Sequence, residues 1–286
     1  MFRVVQVGGI LLAFLLSGCA DDDKLTTQRV DASGAPRSQA AVSHVPFHES
    51  GREQTWPLDY QSKEYPGGAF AITDFGSPPP GDAAQVIRAL EPLAKSGNSK
   101  ASYEIFLKIN ECLDYLQSVQ TSGSERPDLA ATRKESATRC KNLSPDDYAS
   151  ASEWLSLSAE QGSLSAQLTY ASLVEPVLGG ASDYLRDPDA VKEYKERSHR
   201  YLSNAARKGS IDALMTLGDG YANGIMLERD FKTSYAYYLA VDKVAPNLVS
   251  KSSMAYLKSQ LNTTQLHDAI QKGDQIYVEC CKNSRK

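Results

Sequence analysis

Apolar residues recur at helical spacing in several stretches of this chain, and three of those stretches end on the same short joint. Ala83, Val86, Ile87, Leu90 and Ala94 fall three and four residues apart behind Asp82, a residue type that caps helix N-termini. Ile105, Ile109, Cys112, Leu113 and Leu116 form a facing stripe. Between the two lies Ala94-x-x-Gly97-x-x-x-Ala101, and the same skeleton returns as Ala159-x-x-Gly162-x-x-x-Ala166 and Ala206-x-x-Gly209-x-x-x-Ala213. A glycine that can adopt the left-handed conformation ends one helix, and a small residue in the next lets the two approach closely. Each copy therefore predicts a helical hairpin, and the chain predicts an all-α solenoid of such hairpins.

Flanking signals place the hairpins. Ser144-Pro145-Asp146-Asp147 opens the second, with Ser as cap, Pro at the first helical position and acids in the first turn. Asp187-Pro188 opens the third, which presents Val191, Tyr194, Tyr201, Leu202 and Ala205, answered by Leu214, Leu217, Gly218 and Tyr221. Pro92 removes a bond to the Arg88 carbonyl, so a kink or a restart is expected there. The glycines of the joints lie 65 and 47 residues apart, which implies insertions at about Gln117 to Leu143 and Glu175 to Asp187. Asn262 to Cys281 is expected to be a capping helix that hides the last apolar face.

Upstream of residue 82 the pattern changes three times. Met1-Phe2-Arg3 is a short basic start, and Val4 to Leu16 is apolar apart from Gln6, Gly8 and Gly9; such a run is too short to span a bilayer and reads as a signal peptide over residues 1–18. Residues 19–44 are rich in Asp, Ser, Thr, Gly and Ala and read as a flexible tether. Residues 45–81 interleave Phe47, Trp56, Tyr60, Tyr65, Phe70 and Phe75 with Pro and Gly, the composition of an extended arm laid on a folded body, closed by Pro78-Pro79-Pro80. The solenoid is then residues 82–286.

Leu16-Ser17-Gly18-Cys19 resembles the lipobox of bacterial lipoproteins, which implies that Cys19 is lipidated and becomes the mature N-terminus. Several acyl chains on one residue make a stable anchor. By the enterobacterial sorting rule, Ala20 after the lipidated cysteine implies a periplasm-facing outer-membrane location, with the inner membrane as the alternative that Asp21-Asp22-Asp23 keeps open. The repeats resemble Sel-one-like repeats, a subclass of the tetratricopeptide-related solenoids, most clearly at Ala206-x-x-Gly209-x-x-x-Ala213-x-x-x-Leu217-Gly218-x-x-Tyr221-x-x-Gly224, followed by Asp230 and Ala236-Tyr237-Tyr238. The family's regular period in the mid-thirties is absent here.

Charge narrows the partners. With 31 basic and 35 acidic residues the chain has a formal net charge of −4, without the basic surplus a nucleic-acid binder needs. Chemistry is scarce. His44 and His48 stand four apart beside Glu49, but Pro46 between them spoils the helix that metal binding would need, and His199 and His267 lie singly on predicted helices. No metal or cofactor is expected. Gly218-Asp219-Gly220-Tyr221-Ala222-Asn223-Gly224 has no preceding strand, so it reads as helix-end glycines rather than a phosphate loop. No nucleophile elbow, zincin motif or Cys/His constellation occurs, and nothing positive points to an enzyme. Once Cys19 is lipidated, four cysteines allow three pairings. Cys112–Cys140 is expected as a staple of the first insertion, contributing about 3–4 kcal/mol. A bond between neighbouring Cys280 and Cys281 strains the intervening peptide, and the sequence leaves that pairing open against free or mispaired thiols at a frayed end.

What remains is binding. Tyr, Trp and Arg dominate interface hot spots, which makes Trp154, Tyr194, Tyr201, Tyr235, Tyr237 and Tyr238 contact candidates against the alternative that they fill the core. Tyr237 is expected outermost, because Tyr235 and Tyr238 share a face with Phe231. The resemblance implies a protein partner, and a recurrent role among lipid-anchored members is immunity: capture of a phospholipase-type effector delivered by type VI secretion. The alternative is a periplasmic scaffold, assembly or signalling factor. A further alternative is a β-lactam-binding repeat enzyme, but those relatives carry a cysteine pair in every repeat, which this chain lacks.

Overall fold

The protein is described here from a computed structural model covering residues 59–121, 127–178, 185–224 and 226–282. The signal peptide, the tether, Cys19, His44, His48, Phe47 and Trp56 lie outside the described residues.

Helices α1 (Ala83–Lys95) and α2 (Ser99–Thr121) form the first hairpin. Helices α3 (Pro127–Cys140), α4 (Pro145–Ala149), α5 (Ala151–Glu160), α6 (Leu164–Ser172) and α7 (Val174–Leu178) follow. The third hairpin is α8 (Pro188–Arg207) and α9 (Ile211–Asn223), and α10 (Phe231–Val244), α11 (Lys251–Ser259) and α12 (Thr263–Cys281) complete the chain. Packing runs in order along the stack, α1 on α2, α2 on α5, α5 on α6, α6 on α8, α8 on α9, α9 on α10 and α10 on α12. The architecture is an all-α solenoid in which α12 covers the last face, seated so closely that a Cβ on Gly273 would stand 3.0 Å from the Ala236 carbonyl oxygen.

The three joints share one hydrogen-bond pattern. Gly97, Gly162 and Gly209 take φ of +100°, +98° and +94°, and their N–H groups donate to Ala94, Ala159 and Ala206 at 3.0–3.1 Å. The next residue in each copy donates its N–H back to Leu93, Ser158 and Ala205, each at 3.1 Å, which completes a Schellman motif. That same residue then caps the following helix: Asn98, Ser163 and Ser210 accept from the N–H of Ala101, Ala166 and Ala213 at 3.1, 2.9 and 3.2 Å. One residue thus closes one helix and opens the next, and the alanines on either side are buried.

Other capping signals act as the sequence suggests. Asp82 accepts from Gln85 at 3.1 Å and Asp187 from Ala190 at 2.9 Å, and Ser144 forms a capping box with Asp147. Helix α1, however, runs through Pro92 without restarting. Pro92 lies in the final turn, where a single bond is lost and Ser96 donates to the Pro92 carbonyl at 3.1 Å. Gly218 and Gly220 are not at a helix end but inside α9. A Cβ on Gly218 would stand 2.6 Å from the Tyr238 ring, so close helix packing is what requires that glycine; only Gly224, at φ +70°, ends the helix.

The arm is not merely extended. Strands β1 (Gln61–Glu64) and β2 (Phe70–Asp74) pair antiparallel across a turn at Pro66–Gly68, where Gly67 and Gly68 have φ of +81° and +88°. The hairpin straps the joints. Phe70 donates its N–H to the Gly209 carbonyl at 2.9 Å, Ile72 donates to the Asp212 carboxylate at 2.8 Å, and the Ser163 hydroxyl donates to the Asp59 carboxylate. Tyr60, Tyr65 and Phe70 pack on the core of the third hairpin, while Phe75 is left exposed.

In the first insertion, α3 is tied to α2 by a Cys112–Cys140 disulfide with Cα atoms 5.5 Å apart. Glu111 sits beside it and pairs with the buried Lys108 at 2.8 Å and with Arg139 at 2.6 Å. Cys280 and Cys281 are also joined, and both are buried rather than at a frayed end. Their burial follows from α12 docking its last turn against the Pro66–Gly68 turn and the Gly209 joint.

Candidate protein-binding surface

The structure sorts the sequence's contact candidates by depth. Tyr194 and Tyr201, at 3% and 2% exposure, are core residues and not contacts. Both lie on the α8 face that packs against Tyr170, whose ring centroid is 5.3 and 5.4 Å from theirs. The Tyr194 hydroxyl donates to the Ala171 carbonyl at 3.0 Å. Tyr235 and Tyr238 are buried as well. Trp154 is half-buried against the core of the first two hairpins. Tyr237 is also half-buried, stacked on Tyr221 at 5.9 Å. Burial first, then the neighbouring Tyr221 and Glu279, push its hydroxyl pKa up to about 12, so it stays a neutral donor.

Between α5 and α8, one carboxylate gathers three donors. Glu160 Oε1 accepts from Arg197 and Arg200, each at 2.9 Å, and from the Tyr201 hydroxyl. The Arg197 guanidinium also lies 5.2 Å over the Tyr170 ring. Burial alone would raise the Glu160 pKa, but the Tyr201 hydroxyl and the two guanidiniums outweigh it, and the net displacement is downward. Such a group stabilises the fold fully above the unfolded carboxyl value of about 4.3 and loses that contribution as pH falls through its lower folded value. Urea unfolding between pH 6 and 3 should therefore show wild-type stability falling more steeply on acidification than that of Glu160→Gln. Parallel profiles would show that the cluster is not coupled to folding.

A cleft of about 670 Å³ opens where α9, α10 and α11 meet. Its walls carry Asp219, Arg229, Phe231, Tyr238, Tyr256 and Leu257, with Ser252 and Ser253 at the start of α11. Arg229 is positioned by a bond from its guanidinium to the Asn223 carbonyl at 3.0 Å and lies 5.9 Å over the Phe231 ring. Phe231 meets Tyr256 edge to face at 6.1 Å, and the Tyr238 hydroxyl donates to Asp219 on the inner wall. Burial and that carboxylate raise the Tyr238 pKa. Tyr256 is 57% exposed, a large aromatic held at a cleft mouth with little of its surface covered.

Sequence reasoning missed Arg229 and Tyr256. The available signal was weak, because helix α11 is short and Tyr256 has no apolar partner at helical spacing on its exposed side. His199 stands 3.4 Å from the hydroxyls of Ser203 and Tyr221, and His267 bonds Gln271 at 3.0 Å. Among the described residues no group of three or more His, Cys, Asp or Glu is placed to hold a metal, and no helix is long and apolar enough to cross a membrane.

No protein-family model matches the chain, and no curated protein matches it. Among solved structures it is similar to a crystal structure of c5321, a protective antigen present in uropathogenic Escherichia coli strains and displaying an SLR fold. The two are 18% identical over 69% of this chain and 42% of that one, with a TM-score of 0.38, so the match spans less than half of the other protein. What makes this chain an all-α solenoid of hairpins is its helix order and its three shared joints, not that likeness.

Proposed function

We propose that this chain is a lipid-anchored protein of the bacterial envelope that binds another polypeptide through the cleft at α9, α10 and α11, without transforming it. The observation that carries this reading is the composition of the cleft, which concentrates an arginine, a phenylalanine and two tyrosines around a concavity of about 670 Å³. Arginine and tyrosine are among the residue types that supply most interface energy; Phe231, Tyr238 and Tyr256 stand on helices, and Arg229, in the connection between α9 and α10, is tied to the Asn223 carbonyl. The Leu16-Ser17-Gly18-Cys19 motif supports anchoring through acylated Cys19, facing the periplasm. The strapped and stapled solenoid suits a partner-specific inhibitor better than a regular scaffold, and the finer reading is an immunity protein against a phospholipase-type effector of type VI secretion.

In-cell cross-linking followed by mass spectrometry tests the binding reading. Wild type should capture a discrete partner, and Arg229→Ala or Tyr256→Ala should lower its affinity by about 10–30-fold while leaving the helical melt unchanged. Equal capture by both variants would remove the cleft from the interface. Failure of Cys19 to incorporate labelled palmitate would remove the anchor. For the finer reading, a deletion strain grown beside effector-positive kin should die, and its survival would sink the immunity role.

A further inference from the structure

Three stretches far apart in the sequence meet at the end of α12. The Cys281 carbonyl oxygen occupies the place where a side chain on Gly67 would begin. A Cβ on Gly209 would stand 3.2 Å from the Cys280 carbonyl oxygen and 2.9 Å from that of Gly68. Both carbonyls of the cysteine pair are therefore packing elements, fitted against the glycines of the strap's turn and of the third joint. The disulfide between Cys280 and Cys281 closes a small ring that includes their shared peptide. It limits the torsions of that shared peptide, whose carbonyl is the one Cys280 presents to Gly209, and both cysteines are buried. The strap is also bonded to its joint by the Phe70 N–H to the Gly209 carbonyl and by the Ile72 N–H to the Asp212 carboxylate, and Tyr60, Tyr65 and Phe70 pack on the core beneath it.

We propose that the Cys280–Cys281 disulfide is a redox-operated clasp for the strap over residues 61–74. A dithiol reductant opens it by ordinary exchange. One of its thiolates attacks one cysteine sulfur, the S–S bond breaks, and the other cysteine leaves as a thiolate that takes up a proton. The second thiol of the reductant displaces the mixed disulfide, giving two protein thiols and one oxidised dithiol for two electrons transferred. The pair sits in the last turn of α12, so access requires only local fraying of a helix end. With the ring open the Cys280 carbonyl loses its fixed aim at Gly209, the last turn of α12 that also presents the Cys281 carbonyl to Gly67 loosens, and the strap lifts from the third joint. Cys112–Cys140 ties α3 to α2, and the cluster around it includes no residue of the strap or of α12, so its state is independent of the clasp. This inference does not depend on the identity of any partner.

Hydrogen exchange with mass spectrometry on the full chain, titrated with dithiothreitol, tests it, with differential alkylation reporting which cysteines are open. Reduction at 280 and 281 should speed exchange across residues 61–74 by at least about tenfold while 211–223 stays protected. The Cys280→Ser/Cys281→Ser variant should show the same local loss without reductant. Three results would overturn the clasp: free thiols at 280 and 281 in the non-reduced protein, wild-type protection of 61–74 after complete opening of the pair, or loss of protection throughout rather than in the strap. If the clasp behaves as described but no partner is captured, the binding reading fails alone; if a partner is captured and the strap never moves, the clasp fails alone.

Discussion

Gly209→Ala destabilises the fold by roughly 2–5 kcal/mol, whereas Gly97→Ala and Gly162→Ala each cost only about 1–2 kcal/mol. All three glycines occupy the same place in the repeated joint with φ near +100°, so all three variants carry the strain of an L-residue in the left-handed region. They differ in their surroundings. A Cβ added at Gly97 or Gly162 meets nothing within 4 Å. At Gly209 it meets the Gly68 carbonyl at 2.9 Å, the Ala69 Cα at 3.2 Å and the Cys280 carbonyl at 3.2 Å, all backbone that cannot rotate away. Either the strap or the end of α12 must move, and overpacking adds to the torsional cost. Urea unfolding of the three variants under one condition measures the ranking. Equal costs at the three sites would mean that the strap is not seated on the third joint in solution.

Replacing Cys112 and Cys140 together by serine lowers stability by about 3–4 kcal/mol, the loop-closure entropy of a crosslink spanning 28 residues. For a chain of this size that corresponds to a fall in melting temperature of about 6–16 °C. The bond is a principal tie of α3 to the body: among the described residues its buried apolar contact there is a small cluster of Ala83, Cys112 and Cys140 with Tyr115, Leu143 and Tyr148 around it. Without the bond, the Glu111 carboxylate remains to attract Arg139 across the same gap. That pair is largely covered, with the Arg139 and Glu111 side chains 23% and 18% exposed, and it is a contact left to hold the end of α3. Calorimetry of the double variant, with hydrogen exchange over 127–140, reads both quantities. An unchanged melt with α3 still protected would show that the insertion is held by side-chain contacts alone.

Much of the fold was legible because its signals are local. The A-x-x-G-x-x-x-A skeleton is a helix end and a helix start within one turn of chain, and such a joint depends on torsions and near-neighbour hydrogen bonds that a sequence states directly. Asp82, Ser144 and Asp187 were readable as caps for the same reason, as was α12 as the closing helix. Asn98, Ser163 and Ser210 carry the same kind of signal beside each joint glycine and are the caps that periodicity alone passes over. The hairpin of the arm was not legible in the same way, because β1 is the polar run Gln61–Glu64 without a β-branched or aromatic side chain, and its pairing with Phe70–Asp74 is seen only in the structure.

The candidate site was less legible, and the tyrosines show why. Tyr194, Tyr201 and Tyr256 are the same residue on amphipathic helices, and the two buried on Tyr170 differ from the one at the cleft mouth only in what packs above them. Helical periodicity assigns a residue to a face, but a helix in a solenoid has neighbours on several faces, and which face stays open depends on where the next hairpin lands.

The sequence by itself determined the helical hairpins, their joints, their caps and the staple within the first insertion, because each is set by residues close along the chain. Tertiary structure alone decided that Gly209 is sealed while Gly97 and Gly162 stand open, that Gly218 is needed for the Tyr238 ring, and that Cys280 and Cys281 lie buried beneath the strap. Those outcomes depend on contacts between residues up to about two hundred positions apart, where packing density rather than local preference chooses the arrangement.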